Sequence, residues 1–190
     1  MTSIRIIWLT LCLFWAFAEI RLSHKSRIDK GTLMQSEQSS QKRIWFSVLM
    51  GLVLAFWFKH LAWLPIPIAY VPRQLIALLL FAAGLSIRYR AIQQLGLFFT
   101  TDVTIQQQHR LITEGLYRRI RHPTYSGMLL ALAAAGIAMG DFIALLTLTA
   151  LSFCGIHSRI AIEEQMLEQA FGKAYREYCG RSWKLLPWLF

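Results

Sequence analysis

Cysteine is scarce in this chain: Cys12, Cys154 and Cys179 stand apart, two of them in apolar stretches and none in a C-x-x-C spacing. That pattern excludes a disulfide framework and provides no zinc site. His24, His60 and His157 suit interfacial or solvated positions, and no pair of histidines has metal-ligand spacing, so no metal is expected. Acidic residues are also few, 10 against 20 Lys and Arg, for a formal net charge of +10. Such a balance can signal nucleic acid, but here the basic residues stand in blocks between apolar runs, the pattern of membrane topology. No nucleic-acid partner is expected. Internal repeats are absent as well, which excludes a solenoid.

What the chain has in quantity is apolar surface. Hydrophobic residues make up 56% of 190 positions, with seven Trp and a mean hydropathy of +0.44, more than a soluble domain of this size carries. Five apolar runs are candidate spans: Ile4 to Ile20, Ile44 to Leu64, Pro72 to Ile87, Pro123 to Met139 and Phe142 to His157. Each is near or slightly under the roughly 20 residues that cross a bilayer, and local thinning or flanking Arg and Trp can accommodate the short ones. The first run follows a single Arg5 and has no small-residue cleavage site, so it reads as an uncleaved anchor. Only Gly140-Asp141 separates the last two, which predicts a tight antiparallel hairpin, and Ala131, Ala133, Ala134, Ala135 and Gly136 permit close helix approach.

The basic residues orient these spans. Seventeen of the 20 Lys and Arg fall in the stretches Arg21 to Arg43, Arg88 to Arg121 and Arg159 to Lys184, leaving Arg5, Lys59 and Arg73 on the other side. The asymmetry predicts five crossings with the N-terminus outside and the C-terminus in the cytoplasm, as in a prokaryotic inner membrane. Gln35 to Gln41, rich in Ser and Gln, reads as a flexible cytoplasmic loop. The tail Ser158 to Lys184 carries nine charged residues, too many to insert. Its apolar stripe of Ile160, Met166, Leu167, Ala170 and Phe171 predicts that the last span continues outward as an amphipathic helix, broken near Gly172. Trp183, Leu185, Leu186, Pro187 and Trp188 read as an interfacial return to the membrane. The fold class is therefore all-α integral membrane, with about five transmembrane helices and a cytosolic C-terminal amphipathic helix.

Two polar constellations flank the hairpin on one side. In Arg121-His122-Pro123-Thr124-Tyr125-Ser126-Gly127, Pro123 suits the first turn of a helix. The amides and positive dipole end of that helix attract an anion, while Tyr117, His122 and Tyr125 offer hydrogen bonds and ring surface. The same Arg118, Arg119 and Arg121 also satisfy a simple topogenic role, with His122 as a cap. Past the hairpin, Arg159 and Glu163 share a helix face, and Glu164 lies about 100° further round, so one carboxylate can face inward while the other is solvated. Taken alone, R-x-x-x-E reads as an exposed ion pair. Its position is what distinguishes it, because the hairpin returns the chain to the depth of His122. Glu19 reads as a boundary residue reaching water, and Tyr175 and Tyr178 as packing or interface anchors.

From His109 to Pro187 the chain resembles the isoprenylcysteine carboxyl methyltransferase family and its small prokaryotic relatives, which also resemble phospholipid methyltransferases. The resemblance rests on His109-Arg110-Leu111-Ile112, Glu114-Gly115-Leu116-Tyr117, RHPTYSG, Arg159 with Glu163-Glu164, and Leu167, Phe171-Gly172, Tyr175, Tyr178 and Pro187. It implies S-adenosylmethionine as methyl donor and a lipid or lipidated acceptor entering from the bilayer. The chain reads as one membrane domain over 1–190, with three helices and a basic linker in 1–100 and the catalytic, cofactor-binding part in 101–190; before His109 the likeness is one of hydropathy alone. Carried over by position, His109, Arg110, Leu111 and Ile112 line the adenosine and Tyr117 packs on it. His122, Pro123, Thr124 and Tyr125 hold the amino-acid end, Glu163 pairs with its ammonium, and Arg159 faces the acceptor. Arg159 and Glu163 are the expected catalytic pair. A polar residue that some members place upstream has only Thr101-Asp102 as its nearest counterpart.

A carboxylate acceptor suits the Arg159 fork, which orients it without proton exchange. An ethanolamine-type amine requires a general base, with Glu163, Glu164 or His157 as candidates. Membrane sterol-type reductases that use NADPH share a related RHPxYxG pattern and form the other alternative. The pair Glu163-Glu164 with Phe171-Gly172 favours methyl transfer.

Overall fold

A computed structural model describes residues 2–25, 33–37, 39–99, 103–106 and 110–187. Among the described residues six α-helices carry the architecture: α1 (Thr2–Lys25), α2 (Ser39–Leu61), α3 (Tyr70–Leu95), α4 (Pro123–Met139), α5 (Phe142–Phe171) and α6 (Lys173–Cys179). Four of them, α1, α2, α3 and α5, are long and apolar enough to cross a membrane, and α4 is a shorter apolar helix of 17 residues. The molecule is an integral membrane protein whose apolar part is helical.

Two helix pairs make most of the core. α3 lies against α4 through glycines: a Cβ on Gly127 would sit 2.5 Å from the Gly84 carbonyl oxygen and 2.6 Å from the Arg88 amide nitrogen. Only the absence of side chains lets these backbones touch. α2 lies antiparallel against α5, where Ile44, Val48, Leu148 and Ile156 are buried together and Gly155 abuts Ser47. One turn before Ile44 stands Ser40, and one turn after Gly155 stands Arg159, so this packing brings the two to the same end of the molecule.

The α4–α5 hairpin turns at Gly140, whose φ of 87° favours glycine, and Asp141. Asp141 is the N-cap of α5: its Oδ1 accepts from the amides of Ile143 (2.8 Å) and Ala144 (3.0 Å). Its Oδ2 accepts from the Leu64 amide at 2.8 Å, which ties the α2–α3 connection to the hairpin. Near the same end Gln74 accepts from Trp8 Nε1 at 2.6 Å and donates to the Ala138 carbonyl at 2.8 Å, anchoring α1.

Several expectations are corrected. α3 continues past Ile87 to Leu95 because Arg88 does not end the span. It is buried, and its Nε and Nη2 donate to the two oxygens of Glu19, each at 2.6 Å. Glu19 is likewise buried rather than reaching water. α2 begins at Ser39, and Gln35–Glu37 belong to a strand, β1 (Leu33–Glu37), antiparallel to β2 (Val103–Gln106). The expected loop is therefore partly ordered, and the fold carries a two-stranded ribbon beside its helices. α5 does run unbroken from the hairpin through the charged tail, and it ends where Gly172 adopts a φ of 50°.

Candidate functional site

The site forms where the start of α4 meets the charged half of α5. Pro123 occupies the first turn of α4, and the buried His122 precedes it as the N-cap residue. The His122 side chain does not cap the helix. Its carbonyl instead accepts from the amides of both Tyr125 and Ser126 at 3.1 Å, so two first-turn donors are satisfied within the chain. The imidazole turns to α5, with Nε2 3.3 Å from Glu164 Oε1.

Tyr125 is the centre of the second contact. Its hydroxyl donates to Glu163 Oε2 at 2.9 Å and accepts from Arg159 Nε at 2.5 Å. Arg159 is 4% exposed, and its Nη1 donates to Ser40 Oγ at 3.2 Å. The guanidinium also lies 6.0 Å from the Tyr125 ring centroid. One phenol thus joins a cation and a carboxylate that stand four residues apart on α5.

Glu164 was expected to be solvated if Glu163 faced inward, and it is not. Its side chain is 18% exposed and meets Arg121 Nε (3.0 Å), His122 Nε2 (3.3 Å) and Lys184 Nζ (2.9 Å). Arg121 Nη1 also donates to the carbonyls of Cys179 (3.2 Å) and Ser182. The segment after α6 is drawn in with it. The Arg121 amide donates to the Trp183 carbonyl (2.7 Å), His122 to Lys184 (3.1 Å) and Trp183 to Arg119 (2.8 Å), while Ser126 Oγ donates to the Leu185 carbonyl (2.6 Å). Leu185 is buried in the core, so the chain returns onto the protein itself rather than onto an interface alone. Trp188 lies outside the described residues.

Tyr117 is buried in a 3₁₀ turn, Gly115–Arg118, and its carbonyl accepts from the Tyr178 hydroxyl at 2.6 Å. Burial first, and then the charge of Glu163, push the Tyr117 phenol well above its ordinary range. Burial likewise pushes Tyr178 up to about 12. Both phenols stay neutral, so Tyr178 keeps its donor role. Tyr175 and Tyr178 are both buried, as packing residues are.

Of the residues named from sequence, Tyr117, His122, Pro123, Thr124, Tyr125, Arg159 and Glu163 gather at this end of the molecule. Arg110 is exposed and Leu111 and Ile112 are half-buried in the segment that leads to Tyr117. His109, like Thr101 and Asp102, lies outside the described residues. Ser40, Lys184 and Arg88 escaped sequence reading, because each partner lies far away in the chain and no local pattern marks it.

Within this donor set Glu163 carries a carboxylate able to pair with an ammonium group. Among the described residues no cluster of His, Cys, Asp and Glu could hold a metal ion.

Comparison with known proteins gives a family and a fold. The isoprenylcysteine carboxyl methyltransferase (ICMT) family matches residues 75–169. A probable protein-S-isoprenylcysteine O-methyltransferase of Oryza sativa subsp. indica is 33% identical over 116 residues, 60% of this chain and 61% of its own. Protein-S-isoprenylcysteine O-methyltransferase B of Arabidopsis thaliana is 34% identical over 100 residues, 52% of this chain and 51% of its own. The match therefore spans less than two thirds of these relatives. The solved structure of a eukaryotic intramembrane Ras methyltransferase, ICMT, superposes with a TM-score of 0.58 at 22% identity, over 82% of this chain and 55% of that one, a likeness of fold.

Proposed function

Because the chain belongs to the isoprenylcysteine carboxyl methyltransferase family, we propose that it transfers a methyl group from S-adenosylmethionine to the carboxylate of an isoprenylcysteine-like or other lipidic acceptor at the cytosolic membrane surface. The observation that carries the reading is the Arg159–Tyr125–Glu163 chain: a buried cation and a carboxylate held on either side of one phenol.

Roles follow from the side chains. Glu163 holds the donor's ammonium, and His122, Pro123, Thr124 and Tyr125 frame its amino-acid end. Tyr117, with His109, Arg110, Leu111 and Ile112, lines the adenosine. S-Adenosylmethionine, when bound, supplies a methyl group activated on a sulfonium. Arg159 grips the acceptor carboxylate through its planar fork and needs no proton exchange. Burial of Arg159 and the enclosure by α4, α5 and the C-terminal segment keep water from the reacting groups, which favours a reaction that neutralises two charges. Alignment of donor and acceptor provides most of the acceleration. The site end of the 101–190 part faces the cytoplasm, the N-terminus lies outside, and the acceptor enters sideways from the bilayer of a prokaryotic inner membrane.

The test is incubation of the purified protein with labelled S-adenosylmethionine and, in parallel, a prenylcysteine acid, phosphatidylethanolamine vesicles and native membrane lipids. Label on a base-labile ester of the acid is expected. Label confined to the amine lipid would replace the carboxylate reading with N-methylation. No label anywhere, with NADPH binding instead, would overturn methyl transfer.

A further inference from the structure

The molecule buries a second ion pair that the reading above does not use. Glu19 of α1 and Arg88 of α3 face each other through both guanidinium and carboxylate forks, each bond 2.6 Å, and Trp15 Nε1 donates to the same Glu19 Oε1 at 3.0 Å. Charges placed inside membrane helices are costly to desolvate and carry little net stabilisation as a pair, so their retention points to a task. The remaining arm of Arg88 shows which one. Its Nη1 donates to the backbone carbonyl of Thr124 at 3.3 Å, in the first turn of α4 and between Pro123 and Tyr125.

The backbone geometry explains how Arg88 gets there. Gly127 has no side chain, and the Arg88 amide nitrogen lies 2.6 Å from where its Cβ would be, so α3 rests directly on α4 one turn below Thr124. From that platform the guanidinium reaches up to the carbonyl, and Glu19 fixes its plane from the other side. α1 otherwise presents most of its surface outward, with 6% of its span buried. Glu19 also stands outside residues 75–169, where the family match lies.

We infer that Glu19 and Arg88 are positioning residues for the donor site: the pair clamps the Thr124 carbonyl and so sets where the Pro123–Tyr125 turn presents itself to S-adenosylmethionine. The inference rests on the proposed function. It predicts that α1 contributes to donor affinity without touching the donor.

The experiment uses the full chain in micelles and compares S-adenosylmethionine binding, KM and kcat, and thermal unfolding. The double variant Glu19→Leu/Arg88→Met replaces the pair by apolar groups of similar volume, a change that buried ion pairs often tolerate without loss of stability. Its Kd and KM for S-adenosylmethionine should rise about tenfold while kcat at saturating donor changes far less. Arg88→Lys keeps an ion pair with Glu19 but loses the fork, and it should weaken binding in the same direction. Wild-type affinity in a folded double variant overturns the inference. If the double variant does not fold, wild-type affinity in Arg88→Lys overturns it alone. A wild-type chain that binds no S-adenosylmethionine removes the functional reading and this inference with it.

Discussion

The hydroxyl of Tyr125 donates to Glu163 Oε2 at 2.9 Å while accepting from Arg159 Nε, so the two charged residues of α5 communicate through a side chain of α4. The hairpin alone does not produce this contact. It depends on Pro123 starting α4 at the depth where α5 becomes charged, and on α2 holding Arg159 from behind through Ser40.

Tyr125→Phe keeps the ring and removes the bridge. Each hydrogen bond to a charged group is worth about 1.5–3 kcal/mol, so losing the hydroxyl should reduce kcat/KM for methyl transfer about tenfold or more. Steady-state kinetics with saturating acceptor checks this, and unchanged kinetics would leave the phenol a packing residue.

Asp141→Ala separates stability from function. The N-cap is worth about 1 kcal/mol, and the Leu64 amide loses its acceptor as well, so thermal unfolding in micelles should begin several degrees lower. Asp141 lies 18 residues before Arg159 on one helix, about 27 Å away. Donor affinity measured below the transition should therefore match the wild type.

Glu164→Gln leaves Arg121, His122 and Lys184 without their shared carboxylate. A loss of about 2 kcal/mol is expected locally, concentrated in the segment after α6. Hydrogen exchange at the Trp183 and His122 amides should accelerate while exchange in α2 stays as it was. Uniform exchange across the chain would contradict a strap held by this carboxylate.

Local signals in the sequence located most elements. Pro123 marked the start of α4, Gly140-Asp141 the hairpin, Gly172 the end of α5, and the apolar stripe beyond His157 its outward continuation. Long-range pairing was not legible. Arg88 looks like the polar end of a span because its partner, Glu19, is 69 positions away. Ser40 and Arg159 are 119 apart, and nothing in a Ser/Gln-rich stretch indicates that one of its serines will be buried under a guanidinium. Glu164 shows the same limit: helical spacing places it a quarter-turn from Glu163, but only the return of Lys184 and Arg121 decides that it is enclosed. The pairing of residues 119–122 with 183–184 leaves no periodicity, since it is made by backbone groups of irregular chain.

The central claim is that Glu163, oriented by Tyr125, holds the ammonium of the methyl donor. Calorimetric titration of S-adenosylmethionine into the purified protein in micelles, wild type against Glu163→Ala, tests it most directly. The account predicts saturable binding by the wild type and loss of that binding in Glu163→Ala, with thermal unfolding little changed. Undiminished affinity in the folded variant would contradict it.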